Sequence, residues 1–110
     1  MERRLGMRGQ VDLPVIQHVD GFAHECRVVD ISSRGMVVAQ TESLAVREER
    51  LLYDIELLLE GIEQPIRALA RPVWSRGRLL AMRYVAVSAA DQLEIAELLD
   101  RLERGGALLH

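Results

Sequence analysis

Lysine is missing from this chain of 110 residues, and all 14 of its permanently positive side chains are arginine. That absence fits the coding bias of a GC-rich genome and marks no site by itself. It does mean that every such cationic contact comes from a planar guanidinium, which forms bidentate hydrogen bonds and stacks on aromatic rings. Cysteine is almost as scarce: Cys26 stands alone and cannot close an internal disulfide. A lone cysteine favours a reducing, cytoplasmic setting. No long uncharged apolar run is present, which excludes a transmembrane helix and membrane insertion through one. Met1-Glu2-Arg3-Arg4 has no apolar segment behind it, so no signal peptide is expected. Aromatics are few, with one Phe, one Trp and two Tyr, and the net charge is −3. Proteins that bind a nucleic acid polymer are usually basic and offer several stacking rings, so that class is disfavoured. Neither a Ser/His/Asp arrangement, nor metal-ligand spacing, nor a Gly-rich loop before a helix can be found, and no enzyme is expected.

What is present is one domain's worth of chain, about half of it hydrophobic (49%), enough for a modest single core. Residues 1–10 are charged and contain Gly6 and Gly9, and read as a flexible N-terminal arm. From Val11 the pattern alternates. Val11, Leu13 and Val15 predict a first strand, with Pro14 at an edge or bulge. Asp20-Gly21 is a hairpin signal. Phe22 to Ile31 predicts a second strand, Ser32-Ser33-Arg34-Gly35 a turn, and Met36 to Ala39 a third strand. Thr41 to Arg50 reads as a polar loop. Three more strands follow, about Tyr53 to Leu59, Ile66 to Trp74 and Leu80 to Val87, with turns at Glu60-Gly61 and Ser75-Arg76-Gly77.

After Val87 the period changes. Ile95, Leu98, Leu99 and Leu102 fall on one helical face, predicting a helix over about 89–104 that Gly105-Gly106 ends. Ser88 is the expected N-cap, with Asp91 in the capping-box position. Glu97–Arg101 and Asp100–Arg104 are favourable i, i+4 pairs. Six hairpin-linked strands close most simply into an antiparallel β-barrel, and the C-terminal helix would cover an end or side. The predicted barrel and helix together span residues 11–106.

Two motifs carry candidate chemistry. One is Arg4-Leu5-Gly6-Met7-Arg8, with Arg3 beside it; the other is Asp30-Ile31-Ser32-Ser33-Arg34-Gly35. Residues 9–29 lie between them, enough for one β-hairpin, which brings its two ends together. Guanidinium groups match phosphate oxygens and the O6/N7 edge of guanine. A carboxylate accepts from guanine N–H groups, and a serine hydroxyl or turn amide donates to phosphate. Gly35 allows a positive φ or close approach of a ligand to the backbone. Trp74, at a strand end, offers a stacking face. Each part alone has an ordinary reading: a solvated tail, an Asx or Ser turn, a barrel-rim tryptophan. His18 and His24 lack metal-ligand spacing, and Cys26 reads as a buried inert thiol.

Taken together, Arg4/Arg8 followed by Asp30/Ser32/Gly35 resembles the PilZ family, whose signature is Arg-x-x-x-Arg and then Asp/Asn-x-Ser-x-x-Gly. The resemblance extends over nearly the whole chain, through the stretches "RVVDISSRGMVV" and "ARPVWSRGRLLAMRYVAVS". It implies the family's six-stranded split barrel and its ligand, the bacterial second messenger cyclic di-GMP. It also implies that Arg4 and Arg8, assisted by Arg3, hold guanine edges and phosphates from the arm. Asp30 and Ser32 would bond a base, Gly35 would shape the turn, and Trp74 would lie near the ligand. With no output domain in this stretch, the signal would pass to a protein effector in motility, pili or exopolysaccharide control. The alternative is a PilZ-fold interaction adaptor that acts without the nucleotide. Two departures stand out. Gly6-Met7 occupies positions where the family often has an aromatic residue and proline, which implies a looser arm and weaker binding. Ala81 replaces a frequent glycine, which is expected to matter little.

Overall fold

The computed structural model describes residues 8–41, 51–59 and 61–104. The expected arm residues Arg3, Arg4 and Gly6-Met7, all of the expected polar loop after Thr41, and Gly105-Gly106 lie outside the described residues.

Six strands form the barrel: β1 (Arg8–Val19), β2 (Phe22–Ser32), β3 (Gly35–Ala39), β4 (Tyr53–Leu57), β5 (Ile66–Arg76) and β6 (Leu79–Val87). Their order round the closed barrel is β1-β2-β3-β6-β5-β4, and every pairing is antiparallel. β1 therefore starts earlier than the alternation predicts: residues 8–10 are strand rather than arm, because β2 continues to Ser32 and offers them partners. Asp20 and Gly21 both take positive φ, 54° and 82°, as a tight two-residue hairpin with the strands' right-handed twist demands. At the other hairpin β5 runs on to Arg76, so the reversal falls on Gly77 (φ 60°) and its neighbour Arg78 rather than on Ser75-Arg76.

Alternate side chains fill the barrel. Val15 and Val19 from β1, Cys26, Val28 and Ile31 from β2, Val38 from β3, Ile55 and Leu57 from β4, and Leu80 and Met82 from β6 are all buried. One polar side chain joins them: Gln17 is fully buried, and its Oε1 accepts from Gln40 Nε2 at 3.0 Å and from Cys26 Sγ at 3.5 Å.

The helix α1 (Ala89–Arg104) presses Ile95, Leu98 and Leu99 onto the core and packs against β1 and β5. Ser88 Oγ accepts from Asp91 N at 3.1 Å, so the N-cap forms as expected. The reciprocal half of the capping box does not. Asp91 Oδ2 instead accepts from Arg67 N of β5 at 3.2 Å, which ties the start of the helix to the barrel wall. Asp100 and Arg104 pair at 3.0 Å, whereas Glu97 and Arg101 make no ion pair with each other.

Candidate functional site

The site is built on the β2–β3 turn. Ser32 Oγ accepts from Arg34 N at 3.1 Å and from Gly35 N at 3.2 Å, and donates to Gly35 O at 3.4 Å. One hydroxyl thus satisfies two turn amides that no ladder reaches. β6 clamps the turn from its far side. Tyr84 N donates to Arg34 O at 2.9 Å, and the Tyr84 hydroxyl lies 3.5 Å from Ser32 O. Burial raises the Tyr84 phenol far above its ordinary range.

Gly35 has a different role from the two expected. Its φ is not positive, and no ligand is needed to explain it. A Cβ at this position would overlap the Met82 carbonyl oxygen and crowd the Arg83 Cα, so the residue is glycine because β6 backbone occupies the space.

Two bulges decide which side chains face outward. In β2 the pairing with β3 skips from Val28 to Asp30, so that Val28 and Ile31 are both buried while Asp30 and Ser32 turn to the outer wall. In β5 the pairing with β6 skips from Pro72 to Trp74, which puts Trp74 on the outside, 46% exposed. The registers then align one outer row across four strands: Asp30 opposite Val37, Val37 opposite Ala81, and Ala81 opposite Trp74. Small or flat residues make the floor, and Asp30 and Trp74 stand at its ends. The row spans three strand spacings, about 14 Å. A second row runs beside it, with Gly35 opposite Arg83 and Arg83 opposite Arg71.

A depression of about 430 Å³ opens over these rows, and Asp30, Ser32, Gly35 and Trp74 all line it. Four of the seven residues expected from the sequence are therefore brought together. Arg8 enters by backbone register, opposite Ser32. Arg3 and Arg4 lie outside the described residues. The first strand's own bulge, between Gln10 and Leu13, is pinned from β2: Arg27 Nε donates to Asp12 Oδ1 at 2.8 Å, and Arg27 Nη2 donates to Asp12 O at 2.9 Å. That stitch holds the strand leading into Arg8 against β2.

Sequence reasoning missed Arg34, Val73 and Arg83, which also line the depression. Arg34 was hidden inside the turn motif as a variable position. Arg83 was legible only as the outward neighbour of Ala81 in the β6 alternation. A second depression of about 360 Å³ adjoins the first, shares Arg34 and Arg83 with it, and reaches Ile95 of α1.

Elsewhere among the described residues no candidate chemistry emerges. Cys26 is buried, and loss of solvation raises its thiol above the ordinary range. His18 Nε2 lies 2.6 Å from Glu56 Oε1, a contact between neighbouring strands. Among the described residues no group of three or more His, Cys, Asp or Glu is placed to hold a metal, and no helix is long and apolar enough to cross a membrane.

Comparison with known proteins agrees with this architecture. The family profile described as PilZ domain matches residues 2–101. No curated protein sequence matches the chain. Among solved structures, the PilZ domain with c-di-GMP of YcgR from Escherichia coli superposes with a TM-score of 0.72 at 18% identity, covering 96% of this chain and 95% of that one. The Bacillus subtilis inhibitor of motility, MotI/DgrA, gives a TM-score of 0.78 at 18% identity over 96% of this chain. This chain spans only 53% of that protein's length. The PilZ domain of CeSA from a cellulose-synthesizing bacterium gives 0.65 at 18% identity, covering 87% and 97% of the two chains.

Proposed function

This chain belongs to the PilZ domain family, and on that premise we propose that it is a receptor for cyclic di-GMP that closes its N-terminal residues over the bound nucleotide and signals to a partner protein. One observation carries the proposal. Arg8, the last residue of the first motif, pairs opposite Ser32 of the second, and Ser32 lines a depression together with Asp30 and Trp74. That set combines a cation, a carboxylate, a hydroxyl and an aromatic face, the chemistry an anionic guanine nucleotide calls for. In this reading Arg4 and Arg8, with Arg3, hold guanine edges and phosphates, Asp30 takes a base, and Trp74 stacks on it. The YcgR domain, whose structure contains c-di-GMP, supports the ligand, and the motility inhibitor of Bacillus subtilis supports a motility-type effector. A regulatory rather than catalytic role and a cytoplasmic setting belong to the same reading. Ordering each arm residue costs roughly 1–2 kcal/mol of backbone entropy, so ligand contacts must offset it. That coupling would let nucleotide binding control a surface.

Calorimetric titration with cyclic di-GMP tests the proposal, with Arg4→Ala and Arg8→Ala as controls. Saturable heat that both substitutions weaken is expected. The absence of heat at high micromolar ligand would sink the receptor reading, and binding that survives loss of both arginines would refute the assigned site.

A second reading has its own support. Ser32 and Gly35 are both accounted for by the turn and by β6, without a ligand. A PilZ-fold adaptor that acts without the nucleotide would keep them for the same reasons. It predicts no heat in the titration above.

A further inference from the structure

Arg34 and Arg83 belong to neither sequence motif, yet both line the depression. Like Arg76, Arg78 and Arg101, they make no ion pair among the described residues; what sets them apart is that they line the depression. Arg27, Arg67 and Arg104 each lie within 4.0 Å of a carboxylate. Among the described residues, no ion pair involves Arg34, Arg71 or Arg83. Worse for stability, Arg83 sits directly opposite Arg71 across β5 and β6, and like charges opposed in a sheet repel. Gly35, opposite Arg83 on the other side, carries no side chain that would shield it from the depression. The barrel thus holds two arginines without ion pairs on the wall of its own candidate site, in a depression that Asp30 also lines.

The position of these arginines matters. Arg8 on β1 and Arg83 on β6 are separated by three strand spacings, about 14 Å at the backbone. A cyclic dinucleotide carries its two phosphates on opposite sides of one ring, so cations supplied from one side alone leave the far phosphate unmatched. We propose that Arg34 and Arg83 form a second phosphate subsite on the barrel wall, holding the phosphate that the N-terminal arginines do not reach. The proposal rests on the receptor reading above and deepens it, by assigning a role to residues outside the motifs. It also accounts for the repelling Arg71–Arg83 pair: the repulsion is relieved when the anion arrives.

The test compares Arg34→Gln, Arg83→Gln and Arg71→Gln with the unaltered chain, by calorimetric titration with cyclic di-GMP at several salt concentrations and by thermal unfolding without ligand. Arg34→Gln and Arg83→Gln should each weaken binding about tenfold or more, the usual worth of a charged hydrogen-bond partner. Both should flatten the salt dependence of affinity. Arg71 does not line the depression, so its substitution should change affinity less than about threefold, as expected of a screened exposed charge. Without ligand, Arg83→Gln and Arg71→Gln should melt at or above the unaltered protein's temperature, because each removes the repulsion. If the unaltered chain binds and Arg34→Gln and Arg83→Gln bind equally well, the wall subsite is overturned and the receptor reading stands. If the unaltered chain gives no heat, both fall together. A lowered melting temperature for Arg83→Gln would overturn the assignment of Arg83 to the wall subsite and make it a structural residue.

Discussion

Gly35 and the Met82 carbonyl are in such close contact that no side chain fits between β3 and β6 at this point. Gly35→Ala should therefore destabilise the protein by about 1–3 kcal/mol, the range for overpacking, as the strands part to admit a methyl group. Urea denaturation without ligand reads this directly. A substitution that leaves the midpoint unchanged would return Gly35 to a role in ligand approach.

Ser32 serves the fold before it serves any ligand. Ser32→Ala leaves the Arg34 and Gly35 amides without their shared acceptor and should lower stability by about 1–2 kcal/mol. Water reaches the exposed Arg34 amide, which holds the effect to that range. The denaturation midpoint of the unliganded variant measures it. An unaltered midpoint would mean that the turn is held by β6 alone.

Trp74 should behave in the opposite way. It is 46% exposed, so Trp74→Ala should shift unliganded stability by no more than about 0.5–1 kcal/mol. Its loss should weaken cyclic di-GMP binding by about 1–3 kcal/mol, the range for base–aromatic stacking. As the sole tryptophan in the chain, it also reports on the site: saturable quenching of its fluorescence is expected during the titration. Fluorescence that stays flat while calorimetry shows binding would remove Trp74 from the site.

Alkaline pH should weaken the fold. Burial raises the Cys26 thiol above 9.0 and the Tyr84 phenol above 10.0, so the unfolded chain loses these protons first as pH rises. The native state then binds more protons than the unfolded state, and stability falls with pH. The contribution is intact below about pH 9 and declines above it. Denaturation midpoints from pH 7 to 10.5 should trace the decline, and Tyr84→Phe should flatten its upper part. An equal slope in that variant would place the titration elsewhere. The same burial predicts that Cys26 reacts with Ellman's reagent far more slowly in the native protein than in urea.

Much of this molecule can be read from neighbouring residues alone. Alternation located all six strands, and the 3.6 period of Ile95, Leu98 and Leu99 located the helix, because both patterns record which side of one element meets the core. Asp20-Gly21 marked the hairpin, and with it the approach of Arg8 to the Ser32 turn; the pairing of Arg8 with Ser32 itself also needs the bulge between Gln10 and Leu13, which shifts the register by one. The early start of β1 was not legible. Residues 8–10 lack an apolar alternation, and they are strand only because Asp30, Ile31 and Ser32 are there to pair with them.

What the sequence determined by itself was the parts list: strands, turn, helix, and the two motifs that a single hairpin joins. Tertiary structure alone decided which of those parts face one another. The bulges at Val28/Asp30 and Pro72/Trp74 turn a carboxylate and an indole to the outer wall, and the β3–β6–β5 order lines them up across Val37 and Ala81. It also placed Arg83 against Gly35 and Arg71. The physical reason is that a strand's alternation is local, whereas its bulges and neighbours are settled by pairing with segments up to some fifty residues away, as between Arg34 and Tyr84. No window of sequence around Asp30 contains Trp74.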